Sequence, residues 1–172
     1  MHALRLAVLG LALSACQDQP AQSTGPTPPP VQQGVAAFIT VDNLNAAVGQ
    51  TVRVRVEVQV GSQQSYKLGS FTGRLRFNTA KLQFKTENPI NDGLRVSNNT
   101  TAATGLIRFA GASPSGFTTL VLYDGTFQVK SADYAADLAL QMEELSAALS
   151  LTNLTPQLRV NRQIFLSRSA GN

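Results

Sequence analysis

Imidazole and thiol chemistry rest on one residue each. His2 and Cys16 are the only histidine and cysteine in 172 residues, and tryptophan is absent. Both lie within the first sixteen positions. Residues 1–15 carry a single charge, Arg5, ahead of an apolar run from Leu6 to Leu13. That is the pattern of an export signal, and the run is far too short to span a bilayer. With those residues removed, the folded part contains neither histidine nor thiol. Ser-His-Asp and Cys-His catalysis, histidine- or thiolate-held metals and disulfides are thereby excluded. Carboxylates, hydroxyls, lysines and arginines remain. Glu143-Glu144 is the one adjacent carboxylate pair, but glycoside hydrolysis needs two carboxylates opposed across a cleft. Asn88, Asn91 and Asp92, or Asp124 beside Gly125, offer too few acidic oxygens for a calcium site and read as turns. The sequence therefore predicts no catalytic residue, no metal and no cofactor.

Arginine is the more informative chemistry. Ten of the fourteen basic residues are Arg, and net charge is +4. Loss of Arg5 leaves 13 basic against 10 acidic residues, or +3. The charge is spread out, without the clustered basic footprint of a nucleic-acid binder. Guanidinium groups suit planar, bidentate contacts with carboxylates and sulfates. The three tyrosines, Tyr66, Tyr123 and Tyr134, are widely separated and make a poor stacking platform for sugars.

The elements that must position these groups are strands. In residues 71–78, Phe71, Gly73, Leu75 and Phe77 alternate with Thr72, Arg74, Arg76 and Asn78, the period of two that a strand with one buried face requires. A corner at 78–81 returns Leu82 and Phe84 to the core. Residues 35–41 (VAAFITV) form a first strand. Residues 52–60 place five valines inward and Arg53, Arg55, Glu57 and Gln59 outward. Short strands follow at 94–96 and 105–110. A long β-rich run spans 117–130, with Asp124-Gly125 a hairpin turn or a bulge within it. A last strand covers 158–166. Residues 137–151 are ambiguous: Leu138, Met142, Leu145 and Leu149 fit a helical face, Leu138, Leu140 and Met142 fit a strand, and local propensity favours the helix. About nine short strands with regular turn signals indicate an antiparallel β-sandwich. Phe71, Phe77, Phe84, Phe109 and Phe127 are expected in its core. The matches to the glycosylation pattern at Asn98, Asn99 and Asn153 are read as chance.

Leu13-Ser14-Ala15-Cys16 resembles the lipobox of bacterial lipoproteins. The resemblance implies that Cys16 becomes the first residue of the mature chain and carries lipid on its sulfur and its amine. Several acyl chains anchor a domain stably. Gln17, rather than Asp, after the cysteine leans toward the outer membrane of a bacterial envelope. Residues 16–34 then form a disordered Pro- and Gln-rich linker with almost nothing to bury. Extended at ~3.1 Å per residue, it reaches roughly 50 Å. The domain is expected over 35–168, with a tail at 169–172.

Val48-Gly49-Gln50-Thr51 ahead of the valine strand, and Ser70-Phe71-Thr72-Gly73 through Lys81-Leu82-Gln83-Phe84, resemble the corresponding stretches of cohesin domains, the latter with Asn78-Thr79-Ala80-Lys81-Leu82 at an Asp-Pro-x-x-Leu-type corner. Gly105 to Ala110, Gly125 to Lys130 and the last strand fall in the same order. The resemblance covers roughly residues 35–166. It implies a nine-stranded antiparallel jelly-roll β-sandwich, related to one class of carbohydrate-binding modules. It also implies a strand rather than a helix at 137–142, and a sheet of strands eight, three, six and five whose exposed side binds dockerins. On that strand order Leu94, Val96, Ile107 and Phe109 point inward, and Arg74, Arg76, Arg95 and Arg108 share the outward face. The expected role is a lipid-anchored, non-catalytic module binding a dockerin-like or other envelope protein. A polysaccharide-binding module and a structural envelope lipoprotein without a separate ligand are the alternatives.

Overall fold

The computed structural model describes residues 25–28, 30, 33–62 and 64–167. The expected export signal, Cys16 and the far tail lie outside them. Nine strands alternate with short turns: β1 (Val35–Val41), β2 (Thr51–Val60), β3 (Leu68–Arg76), β4 (Leu82–Glu87), β5 (Leu94–Asn98), β6 (Leu106–Ala112), β7 (Val121–Val129), β8 (Ala139–Ala147) and β9 (Leu158–Leu166). They form a five-stranded sheet, β4-β7-β2-β1-β9, facing a four-stranded sheet, β5-β6-β3-β8. The expected sheet of strands eight, three, six and five is present. All pairs are antiparallel except β1 and β9, which run parallel. The expected nine-stranded antiparallel sandwich is present, with this one parallel pair where the last strand joins the sheet beside the first.

Alternation along each strand fills the space between the sheets. Val52, Val54, Val56 and Val58 of β2 are buried, as are Phe71 and Leu75 of β3 and Ile107 and Phe109 of β6. Aromatic contacts cross the interface. Phe77 meets Phe127 edge-on at 5.1 Å, and Phe109 stacks on Tyr123 at 5.7 Å, arrangements worth about 0.5–1.5 kcal/mol each beyond area burial. Phe84 is partly buried and packs edge-on against Phe127 at 5.5 Å.

The corner after β3 is built by Asn78. Its side-chain oxygen accepts the Ala80 N–H at 2.9 Å, and its carbonyl accepts the N–H groups of Lys81 and Leu82 at 2.9 Å each. Lys81 then bridges Asp133 and Asp137 at 2.6 and 2.8 Å, fastening this corner to the loop before β8. Gly105 adopts φ 78° after the turn at Thr100–Thr104. A side chain there would strike the Phe77 carbonyl oxygen, which itself lies against the start of β6.

Within residues 137–151 the structure has a strand, Ala139–Ala147, followed by a turn, and no α-helix. Helical propensity is overridden because β8 pairs with β3 from Ala147↔Leu68 to Ala139↔Arg76. The register slips between Thr72 and Gly73, and the bulge falls on Glu143. Leu140 and Met142 are inward before it and Leu145 and Ala147 after it, so Glu143 and Glu144 both face solvent. Asp124-Gly125 is neither hairpin nor bulge. Arg55↔Asp124 and Val54↔Gly125 are regular pairs within a continuous β7, and the irregularity lies nearer its start, between Val56 and Glu57 of β2.

Candidate docking face

The outward side of the four-stranded sheet is a set of cross-strand rows. Leu94, Ala112, Ser70 and Ser146 form one. Val96, Ala110, Thr72 and Glu144 form the next, followed by Asn98, Arg108, Arg74 and Gln141, and then Leu106, Arg76 and Ala139. The face is therefore apolar over β5 and β6 at one end, which is called its apolar half, polar over β3 and β8 beside them, and basic at the other end.

Three of the four expected arginines lie on it. Arg74 and Arg108 are direct cross-strand neighbours, and Arg76 follows two positions along β3. Arg74 pairs with Glu143 across the bulge. Arg76 and Arg108 are exposed and have no acidic partner among the described residues. Arg76 and Arg108 are diagonal neighbours across β3 and β6, and two uncompensated like charges at that spacing favour carboxylates arriving from outside.

Arg95 is a correction. It points into the mouth of the sandwich rather than outward, and its side chain is 12% exposed. Its Nε donates to the Asp92 carbonyl at 2.7 Å and its Nη1 to the Val121 carbonyl at 2.8 Å. The guanidinium lies 4.5 Å from the Phe117 ring centre and 5.3 Å from that of Phe71. Gly111, its cross-strand neighbour, leaves room for the Phe71 ring on which the guanidinium rests. Partners from β3, the β6–β7 loop and the start of β7 thus turn β5 over, stabilised by charge-assisted hydrogen bonds and cation–π contact. The same inversion exposes Leu94 (70%) and Val96 (62%).

Those two residues are the functional candidates that alternation misassigned. A three-residue apolar-Arg-apolar stretch reads equally well either way up. The apolar half continues past β8 into the loop before β9. Leu149 and Leu151 there are 87% and 80% exposed, with positive φ of 63° and 53°. Positive φ is uncommon for a branched side chain and marks a backbone held by its surroundings. With Pro114, Ala112 and Ala147 they line an apolar groove of about 430 Å³.

Asp92 steadies the edge of the face. Its carboxylate accepts the N–H groups of Thr118 and Thr119 at 2.8 and 2.7 Å and faces Arg95 at 3.7 Å. Burial alone would raise its pKa, but those N–H donors and the arginine together hold it below the usual carboxylate value. A lowered folded pKa gives stability that is full above about pH 3.9 and is lost as pH falls through the folded value. Thermal midpoints measured between pH 5 and pH 2 should fall more gently for Asp92→Asn than for the parent. An unchanged slope would contradict this role.

The remaining candidate groups are structural. Tyr123 and Tyr134 are buried. Burial, with a smaller contribution from Asp42, pushes the Tyr134 phenol up to about 12, and burial raises Tyr123 as well. Neither forms a sugar platform. Asn98 and Asn153 use their side-chain oxygens to accept the N–H groups of Thr100 and Thr155 at 3.1 and 2.9 Å. Among the described residues no group of three His, Cys, Asp or Glu could hold a metal ion.

The two sheets in this strand order are the cohesin fold. No protein-family model matches the sequence, and no curated protein matches it. Solved structures do. The seventh ScaB type I cohesin from Pseudobacteroides cellulosolvens is 16% identical, over 78% of this chain and 94% of that one, with a TM-score of 0.52. A non-cellulosomal cohesin from the archaeon Archaeoglobus fulgidus is 16% identical over 78% and 88%, with a TM-score of 0.53. The sixth cohesin of scaffoldin B from Acetivibrio cellulolyticus, solved in complex with a dockerin, is 13% identical over 78% and 99%, with a TM-score of 0.55. At these identities the likeness is one of fold.

Proposed function

We propose that this protein is a non-catalytic binding module that docks a protein partner on the outward face of β5, β6, β3 and β8. The observation that carries the reading is the juxtaposition of exposed Leu94 and Val96 with unpaired Arg76 and Arg108 on one sheet of a cohesin fold. Such a face fits an amphipathic helix with an apolar ridge over β5 and β6 and acidic residues beyond it. A dockerin is the partner that matches, since solved structures with this fold include complexes with dockerins. Lipid on Cys16 would display the module from a bacterial envelope membrane, the outer one on the Gln17 signal.

The test uses the chain with Cys16→Ser, which this reading expects in the soluble fraction. Immobilised, it should capture one dominant protein from the solubilised native envelope, and Arg76→Glu with Arg108→Glu should release that protein while the thermal midpoint stays unchanged. Equal capture by the charge-reversed variant would overturn the docking face. Retention of Cys16→Ser in the membrane fraction would overturn the anchor. A glycan array should show no binding.

A further inference from the structure

The other sheet also carries an outward apolar surface, and the chain itself occupies it. Alternation places Phe38 of β1 on the outer side of the five-stranded sheet, opposite in direction to Ile39 and Ala37. Phe165 of β9 lies beside Thr40 and faces the same way. Both are nevertheless buried, 3% and 2% exposed, in an edge-on pair 5.7 Å apart. A strand apolar on both faces must be covered on both. The described part of the upstream segment supplies cover. Pro28 is buried and lines a groove with Phe38, Thr40 and Leu166. The Pro26 carbonyl accepts the Leu166 N–H at 3.0 Å. Gly25 sits so close to Leu166 and Leu44 that a side chain there would overlap the Leu166 methyl group.

We infer that the outer face of the five-stranded sheet is the docking site of this chain's own N-terminal tether, and that docking reverses the end from which the module is held. β1 begins at Val35, level with Leu158 and Val60. The fastened residues sit at its opposite end, where Val41 is level with Leu166. Six residue steps separate the two ends, about 20 Å. The tether therefore leaves the module beside the 42–50 loop and the Arg76 end of β3. Leu94, Leu149 and Leu151 lie at the far end, where β3 pairs Leu68 with Ala147. The distance in sequence from Cys16 to the first fastened residue, Gly25, is nine residues, which can span at most about 28 Å, less than the whole linker could. In combination with the lipid anchor proposed above, this presents the apolar half of the docking face away from the membrane. The polypeptide geometry itself does not depend on the lipid.

The absence of any cysteine besides Cys16 allows site-specific labelling. In the full chain with Cys16→Ser, dye pairs are placed at Gln19→Cys with Val48→Cys, and at Gln19→Cys with Leu149→Cys; Val48 and Leu149 are 64% and 87% exposed, at opposite ends. The docked tether gives high energy transfer for the Val48 pair and low transfer for the Leu149 pair. Gly25→Glu with Pro28→Asp should undock it, lowering transfer to Val48 and raising transfer to Leu149. Higher transfer to Leu149 than to Val48 in the parent would overturn the inference whatever the variant does. Identical transfer in parent and folded variant would also overturn it. Neither readout involves the partner or the lipid, so failure here is distinct from failure of the docking or anchoring proposals.

Discussion

Replacing Leu94 and Val96 together with Asp should weaken the captured partner's binding by more than about 100-fold, which is roughly 2.8 kcal/mol, and leave the fold intact. Both side chains are largely solvent-exposed in the free module, and surface substitutions of that kind usually change stability by less than about 0.5 kcal/mol. In the proposed complex the partner covers these positions at the β5 edge of the face, where a carboxylate loses its water without gaining a partner. The neighbouring arginines would attract the new carboxylates toward the face, but they lie one row further along β6 and β3 and belong to the basic half. Calorimetric titration of parent and variant reads the difference. A change of less than about fivefold, near 1 kcal/mol, would remove Leu94 and Val96 from the interface. It would leave the arginines as its whole basis.

Asp124→Ala should lower the unfolding free energy by about 3 kcal/mol, the largest stability effect expected from a polar residue here. Asp124 is 3% exposed on the outer side of β7. It accepts Arg53 Nε at 2.7 Å, Arg55 Nε at 2.9 Å and Asn88 Nδ2 at 2.7 Å, so one carboxylate joins β2, β7 and the segment after β4. Removing one member of a buried ion pair costs about 3–5 kcal/mol. Arg53 and Arg55 are 44% and 23% exposed and can regain water, which places the expected loss at the lower end. Urea denaturation checks it, and a loss below about 1 kcal/mol would show that these hydrogen bonds contribute no more than an exposed pair does.

Much of this architecture is legible in short-range patterning. The valines of β2 and the alternation of β3 name their buried faces directly. β1 was expected at 35–41 and spans Val35–Val41. Its second apolar face, carried by Phe38, goes unread in the sequence, because the segment that meets it has the composition of a solvated linker. The parity change from Leu140 and Met142 to Leu145 and Ala147 is a bulge signal, obscured because Leu138, Met142, Leu145 and Leu149 also fit a helical face. Local propensity favours that helix, and pairing with β3 decides against it.

What alternation could not supply is long-range. Nothing near Arg95 announces that Phe117 and the Val121 carbonyl will receive its guanidinium, so alternation alone turns the strand upside down and assigns its two apolar residues to the core. Nor does any local pattern place β9 beside β1 in parallel. Arg74, Arg76 and Arg108 needed only the strand order. Their shared face is therefore found where the strand order put it, with Arg95 replaced by a pair of exposed apolar side chains.

Hydrogen exchange on the complex with the captured partner tests the docking face most directly. Slowed exchange should concentrate in β5 (Leu94–Asn98), whose outer edge is unpaired, and in the exposed loop containing Leu149 and Leu151, while β4 and the 42–50 loop remain as in the free module. Protection confined to β4, β7 or the 42–50 loop, with β5 unchanged, would contradict the account.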